Sequence, residues 1–61
     1  RMRAEGMQKV LETQGIQAVY VDGAMMGDDL VRAWLPRRSE LGWETIAEAG
    51  GPNPWVLVRK Q

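Results

Sequence analysis

Residues 42–60, Gly-Trp-Glu-Thr-Ile-Ala-Glu-Ala-Gly-Gly-Pro-Asn-Pro-Trp-Val-Leu-Val-Arg-Lys, decide the fold, because they have the pattern of a β-hairpin. Two runs rich in β-forming residues, 43–49 and 55–60, flank the sequence Gly-Gly-Pro-Asn at 50–53. Glycine, proline and asparagine are the residues that tight turns favour. The stretch therefore predicts two antiparallel strands joined by a short loop.

The expected register of this hairpin follows from a four-residue loop, which pairs Ala49 with Pro54. Glu44 then lies opposite Arg59, and opposite charges that face each other across strands contribute roughly 0.2–1 kcal/mol. The other expected pairs are Trp43 with Lys60, Thr45 with Val58, Ile46 with Leu57, Ala47 with Val56, and Glu48 with Trp55.

A first helix is predicted over residues 3–14, which have apolar residues at helical spacing. Gly15 stands where the end of a helix favours glycine. Gly6 weakens the first turn, so the helix could start only near Met7. The predicted buried stripe is Ala4, Met7, Val10 and Leu11.

A strand is predicted over residues 16–21, where β-forming residues are followed by the breaker Asp22-Gly23. Both faces of this run carry apolar side chains. Because a strand with two apolar faces is typical of a sheet interior, we expect it to be central rather than at an edge.

A second helix is predicted to begin at Asp28 or Asp29, since either carboxylate can cap the first turn. Pro36 lacks an amide proton and clashes with the preceding turn, so we expect a kink there or a short helix over 36–41, ended by Gly42. The predicted buried stripe is Leu30, Val31, Trp34, Leu35 and Leu41.

The predicted order is α-β-α-β-β in one small domain over residues 1–61. A strand, a helix and a further strand favour a right-handed crossover with parallel strands, and the hairpin adds an antiparallel strand. We therefore expect a three-stranded mixed sheet with both helices on one face, which is a two-layer α/β (α+β) sandwich. Residues 1–6 could be a leader ahead of a natural start at Met7, or the chain could be cut from a longer one.

The composition argues against catalysis. The 61 residues include no cysteine and no histidine, so the chain lacks the commonest metal ligand and the commonest general base. Eight basic and eight acidic residues cancel, which disfavours bulk electrostatic capture of nucleic acid or anionic membrane. No apolar run approaches the roughly 20 residues of a membrane span. We expect a cytoplasmic protein that is not an enzyme and holds no cofactor.

A metal site is also not expected. Asp22, Asp28 and Asp29 flank a glycine-containing loop, and such a cluster can bind a divalent cation. Their spacing matches no calcium-loop pattern, and helix capping explains Asp28 and Asp29 without a metal.

An open sheet face is the predicted functional surface. A chain of this length buries only about 60% of its unfolded surface, so a partner would add useful burial. An apolar centre with aromatic residues inside a charged rim is typical of protein interfaces, although scattered exposed apolar residues are also normal. Trp43, Ala47, Val56 and Val58 are expected on the covered face, and Glu44, Glu48 and Arg59 on the rim of the open one. We predict a non-enzymatic interaction module, a homo-oligomer or the binder of a partner protein, that uses Tyr20, Ile46, Trp55, Leu57 and Arg59.

The alternative function is binding of single-stranded nucleic acid. Arg32, Arg37 and Arg38 cluster on the second helix, and Tyr20 or Trp55 could stack on bases. A solvated helix face explains the arginines equally well, and the zero net charge favours that interpretation.

From Ala18 onward the chain resembles the sulfur-carrier (TusA-like) fold over about two-thirds of its length. The resemblance lies in the strand Ala18-Val19-Tyr20-Val21, the acidic helix start Gly27-Asp28-Asp29, the Trp43-Glu44 step and the closing strand at 55–60. It implies a two-layer β-α-β-β core. That family carries a Cys-Pro-x-Pro signature, which this chain lacks, so the resemblance implies neither sulfur transfer nor any functional residue here.

Overall fold

The computed structural model describes residues 3–61 and has a small α+β fold of two helices and a three-stranded antiparallel sheet. Two short 3-10 turns adjoin the second helix. In chain order the elements are helix α1 (Ala4–Thr13), strand β1 (Ala18–Asp22), a 3-10 turn (Met25–Gly27), helix α2 (Asp29–Trp34), a 3-10 turn (Leu35–Arg37), strand β2 (Trp43–Ala49) and strand β3 (Trp55–Lys60).

The order of strands across the sheet is β1-β3-β2, with β3 in the centre. Both neighbours of β3 are antiparallel to it, so the prediction of a mixed sheet with a parallel pair was wrong. The prediction that the first strand is central was also wrong, because β1 is an edge strand. β1 is apolar on both faces for another reason: Val21 is fully buried, whereas Tyr20 lies on an exposed surface.

The hairpin between β2 and β3 follows the predicted register only in its first half. Glu44 pairs with Arg59 and Thr45 with Val58, as expected, but a β-bulge at Ile46 then shifts the pairing by one residue. Beyond the bulge, Ala47 pairs with Leu57, Glu48 with Val56 and Ala49 with Trp55.

The loop of the hairpin therefore spans residues 50–54 and includes Pro54, which was expected to pair with Ala49. Proline has no amide proton to donate to a strand ladder, so a place in the loop suits Pro54 better than a place in the strand. The bulge also reverses the faces of the residues that follow it, because a shift of one residue exchanges the two sides of a strand.

Helix α1 ends in a Schellman motif. The amide of Gly15 donates to Glu12 O at 3.1 Å and the amide of Ile16 donates to Leu11 O at 2.9 Å. Gly15 adopts a φ of 66°, which confirms its predicted role. The helix starts at Ala4 rather than near Met7. Gly6 faces α2, where a Cβ atom would make an ordinary van der Waals contact with Leu30 Cδ2 at 3.4 Å.

Of residues 1–6, which could be a leader, Arg1 and Met2 lie outside the described residues. Residues 4–6 belong to α1, and Ala4 is buried in the core.

Helix α2 begins as predicted. The Asp28 carboxylate accepts from the amides of Leu30 at 2.9 Å and Val31 at 3.2 Å. Pro36 lies in the 3-10 turn that follows α2. This turn is shorter than the helix that was expected over 36–41. Gly42 ends this segment with a φ of 96°.

One apolar cluster joins both helices to the sheet. Trp34 and Trp43 are its largest fully buried side chains, and their rings meet edge to face with centroids 5.6 Å apart. Val10, which was expected in the buried stripe of α1, is 54% exposed. The cluster consists of Ala4, Leu11, Trp34, Trp43, Val56 and Val58.

Instead of Val10, α1 buries a polar residue, Gln8. Its Oε1 atom accepts hydrogen bonds from Nε1 of Trp34 at 3.1 Å and from Nε1 of Trp43 at 2.9 Å. Its Nε2 atom donates to Glu12 Oε2 at 3.0 Å. The sequence analysis missed Gln8, although it lies four residues after Ala4 and three before Leu11, on the face that both bury.

Candidate protein-interaction surface

An exposed apolar cluster lies across all three strands and is called the sheet patch; it comprises Tyr20, Ile46, Trp55 and Leu57. The rings of Tyr20 and Trp55 have centroids 6.1 Å apart and planes inclined by 33°. Tyr20 lies directly opposite Leu57 in the β1–β3 ladder. Tyr20 is 54% exposed and Ile46 48%, whereas Trp55 and Leu57 are half-buried. The structure thus brings the four predicted apolar anchors onto one surface.

The bulge contributes Ile46 to this patch. At a β-bulge two residues oppose one partner, and here Ile46 is the extra residue between Thr45, opposite Val58, and Ala47, opposite Leu57. The side chain of Ile46 is exposed. Ala47, which was expected on the covered face, therefore lies opposite a patch residue. Trp43, Val56 and Val58 are buried, as expected.

Only part of the predicted charged rim surrounds the sheet patch. Arg59 and Glu44 pair across the strands, with Nη2 and Oε1 2.9 Å apart. Glu48 does not belong to this rim, since the shifted register pairs it with the buried Val56. Its carboxylate lies 3.9 Å from Arg38 Nη2 instead.

A groove of about 540 Å³ borders the patch, where the end of β1 meets the hairpin loop. Asp22 lies directly opposite Trp55, so a carboxylate and an indole are neighbours there. The Oδ1 atom of Asp22 accepts from the amide of Met25 at 3.0 Å, which orients the carboxylate. The groove is lined by Tyr20, Asp22, Gly23, Ala24, Pro52, Asn53, Pro54 and Trp55. The sequence analysis missed it, because it depends on β1 pairing with β3.

The three arginines of the alternative function differ in their surroundings. Arg37 pairs with Glu5 at 2.8 Å and with Glu40 at 3.2 Å. Hydrogen bonds from Arg37 lower the pKa of Glu5, and those to Glu5 and Glu40 raise the pKa of Arg37.

Arg38 donates to Thr45 Oγ1 at 2.9 Å and to Leu35 O at 2.8 Å. Arg32 is exposed, and no ion pair joins it to another described residue. Two of the three arginines are thus engaged within the fold.

A second groove, of about 460 Å³, lies between α1 and the segment that leads into α2. Its walls are almost entirely apolar, and Val10 and Met25 stand exposed on them. The lining residues are Met7, Val10, Leu11, Ala24, Met25, Asp28, Leu30 and Val31.

The acidic residues of the loop serve as caps. Asp22 and Asp28 accept hydrogen bonds from backbone amides, and no group of three potential ligands is close enough to hold a metal among residues 3–61. None of the described helices is long and apolar enough to span a bilayer.

No protein family, curated protein or solved structure matches this chain. The resemblance to the sulfur-carrier fold stays a prediction.

Proposed function

We propose that this chain is a non-enzymatic protein-interaction module that self-associates through the sheet patch. The observation that carries the proposal is the contact of Tyr20 with Trp55 beside Leu57 and Ile46, four large apolar side chains on one surface. Aromatic anchors of this kind dominate the energetics of protein interfaces.

The proposal includes a two-layer arrangement in which both helices cover the opposite face of the sheet. It is supported by the buried cluster, which joins Ala4, Leu11 and Trp34 of the helices to Trp43 and Val58 of the sheet. Such an arrangement leaves the sheet patch without a cover inside the molecule.

The size of the chain supports the same proposal. Domains of about 60 residues have marginal cores, and this chain has no cysteine to form a disulfide. Burial of the patch against a second molecule would stabilise the fold at roughly 25 cal/mol per Å² of apolar surface.

Sedimentation against protein concentration tests the proposal, with Ile46→Asp as the patch variant. We expect the wild-type chain to form a dimer or larger species that persists at high salt. Ile46→Asp should remain monomeric, because an interface then buries an unpaired carboxylate. Trp55→Asp and Leu57→Asp should do the same.

The matched control is Val10→Asp, which places the same charge on an equally exposed apolar residue outside the patch. This variant should associate like the wild type. A wild-type chain that stays monomeric at every concentration, or equal loss of association in both Asp variants, would count against the proposal.

Binding of single-stranded nucleic acid is the weaker proposal, because Arg37 and Arg38 already have partners within the fold. Binding of this kind weakens steeply with salt, whereas association through an apolar patch does not. The same salt series therefore separates the two functions.

A further inference from the structure

The groove beside the sheet patch combines two aromatic rings with one carboxylate. Tyr20 and Trp55 form one wall, and Asp22 lies opposite Trp55 in the ladder. Asp22 is the single charged residue among the described residues that line the groove. A cavity of about 540 Å³ is large enough for a side chain with its flanking backbone.

The carboxylate of Asp22 is held in position but not saturated. Its Oδ1 atom accepts from the amide of Met25 at 3.0 Å, and no described residue donates to its Oδ2 atom. A carboxylate has about four acceptor positions, so it can take up further donors. Gly23 and Pro54 are neighbours in the groove wall, since a Cβ atom on Gly23 would lie 3.4 Å from Pro54 Cδ.

No basic side chain within residues 3–61 balances this charge. β3 carries two cations. Arg59 is paired with Glu44 and lies four residues from Trp55, about 13 Å along the strand, and Lys60 lies one residue further away. The groove therefore presents one negative charge beside aromatic faces. This combination is complementary to a cation that can stack on an aromatic ring.

We propose that the groove binds an arginine side chain presented by a segment of a partner protein. The planar guanidinium stacks on aromatic faces and donates to carboxylates in a forked geometry, so it fits Tyr20, Trp55 and Asp22 together. This inference goes beyond the proposed self-association: it assigns the groove at the border of the sheet patch to an arginine of a different protein.

NMR titration with a pair of short capped peptides tests it, Gly-Arg-Gly and the same peptide with citrulline, the neutral analogue of arginine. The readout is the indole N–H resonance of Trp55. Trp34 and Trp43 donate their indole protons to Gln8 in the core and serve as internal references. The protein is kept at a concentration where sedimentation shows a single species.

We expect the arginine peptide to shift the Trp55 resonance saturably and the citrulline peptide to bind at least about five-fold more weakly, as for one partly exposed ion pair. Asp22→Asn should weaken binding of the arginine peptide by about five-fold. The amide oxygen of asparagine can still accept from Met25, so this variant keeps the turn. The matched control is Asp29→Asn, an exposed acid outside the groove, which should bind like the wild type.

Equal shifts with both peptides, or no saturable shift, would overturn the inference. Loss of self-association in both Asp22→Asn and Arg32→Gln would also overturn it, because the arginine would then come from a second copy of this chain. The two proposals can fail separately. A monomeric chain that binds the arginine peptide would support the groove proposal alone, and an oligomer that shows no saturable shift with this peptide would support self-association alone.

Discussion

The side-chain oxygen of Gln8 is shared by two buried indoles, Trp34 and Trp43, which come from α2 and β2. Buried tryptophan needs an acceptor for its N–H group, and one amide on α1 supplies it for both rings. Three elements are thereby fixed relative to one another. Hydrophobic patterning alone cannot identify this role, because it excludes polar residues from the core.

Gln8→Met should lower the free energy of unfolding by about 2–6 kcal/mol, because it leaves two buried donors without an acceptor at about 1–3 kcal/mol each. Urea denaturation measures the effect. The control is Gln14→Met, at an exposed position after the same helix, which should change stability little. Equal stability of the two variants would mean that the shared acceptor is unimportant.

Acid should weaken the contact between Glu5 and Arg37. The hydrogen bond from Arg37 holds the pKa of Glu5 below its usual value of 4.5 in the folded chain. The contribution of this pair is therefore present above pH 4.5 and is lost as the pH falls through the lower folded pKa. In Glu5→Gln, the urea midpoint should fall less steeply with pH in this range than in the wild type.

Arg37→Gln supplies the comparison, because removal of either partner removes the pair. It should flatten the same part of the pH profile at least as much as Glu5→Gln does, because it also removes the pair with Glu40. Adding Glu5→Gln to Arg37→Gln should change the profile no further. If the urea midpoint of either single variant fell with pH as steeply as that of the wild type, the pair would not contribute to stability.

At the scale of elements, the end of α1 and the start of α2 were predictable and the arrangement of the strands was not. Gly15 and Asp28 mark helix ends through local chemistry, so the sequence alone locates them. The bulge at Ile46 and the insertion of β3 beside β1 depend on long-range pairing, which leaves no local signal. The alternation of strand residues still predicted the apolar anchors of the sheet patch, although it placed Ala47 and Glu48 on the wrong faces.

Gly15→Ala should destabilise the fold by roughly 1 kcal/mol, because a Cβ atom is strained in the left-handed conformation that ends α1. Thermal unfolding measures the change. Gly27→Ala is the matched control: Gly27 has no positive φ, and no atom lies within 4 Å of the position that its Cβ would take. This variant should be neutral or slightly more stable. A destabilisation as large at Gly27 would rule out the conformational explanation.

At the scale of the whole molecule, association and stability should be coupled. If the folded chain associates through the sheet patch, dilution favours the unfolded state by mass action. The melting temperature of the wild type should therefore rise with protein concentration, whereas that of Ile46→Asp should stay constant. Calorimetry over a wide concentration range checks this, and a constant wild-type value would argue that the folded unit is the monomer.

The central position of β3 has a consequence for biosynthesis. β1 and β2 do not pair with each other, and each finds its hydrogen-bonding neighbour only in the last of the three strands to be translated. A nascent chain thus holds two unpaired strands until Lys60 leaves the ribosome. Sheet formation is then a single late event, and the exposed strand edges of the growing chain favour aggregation during that interval.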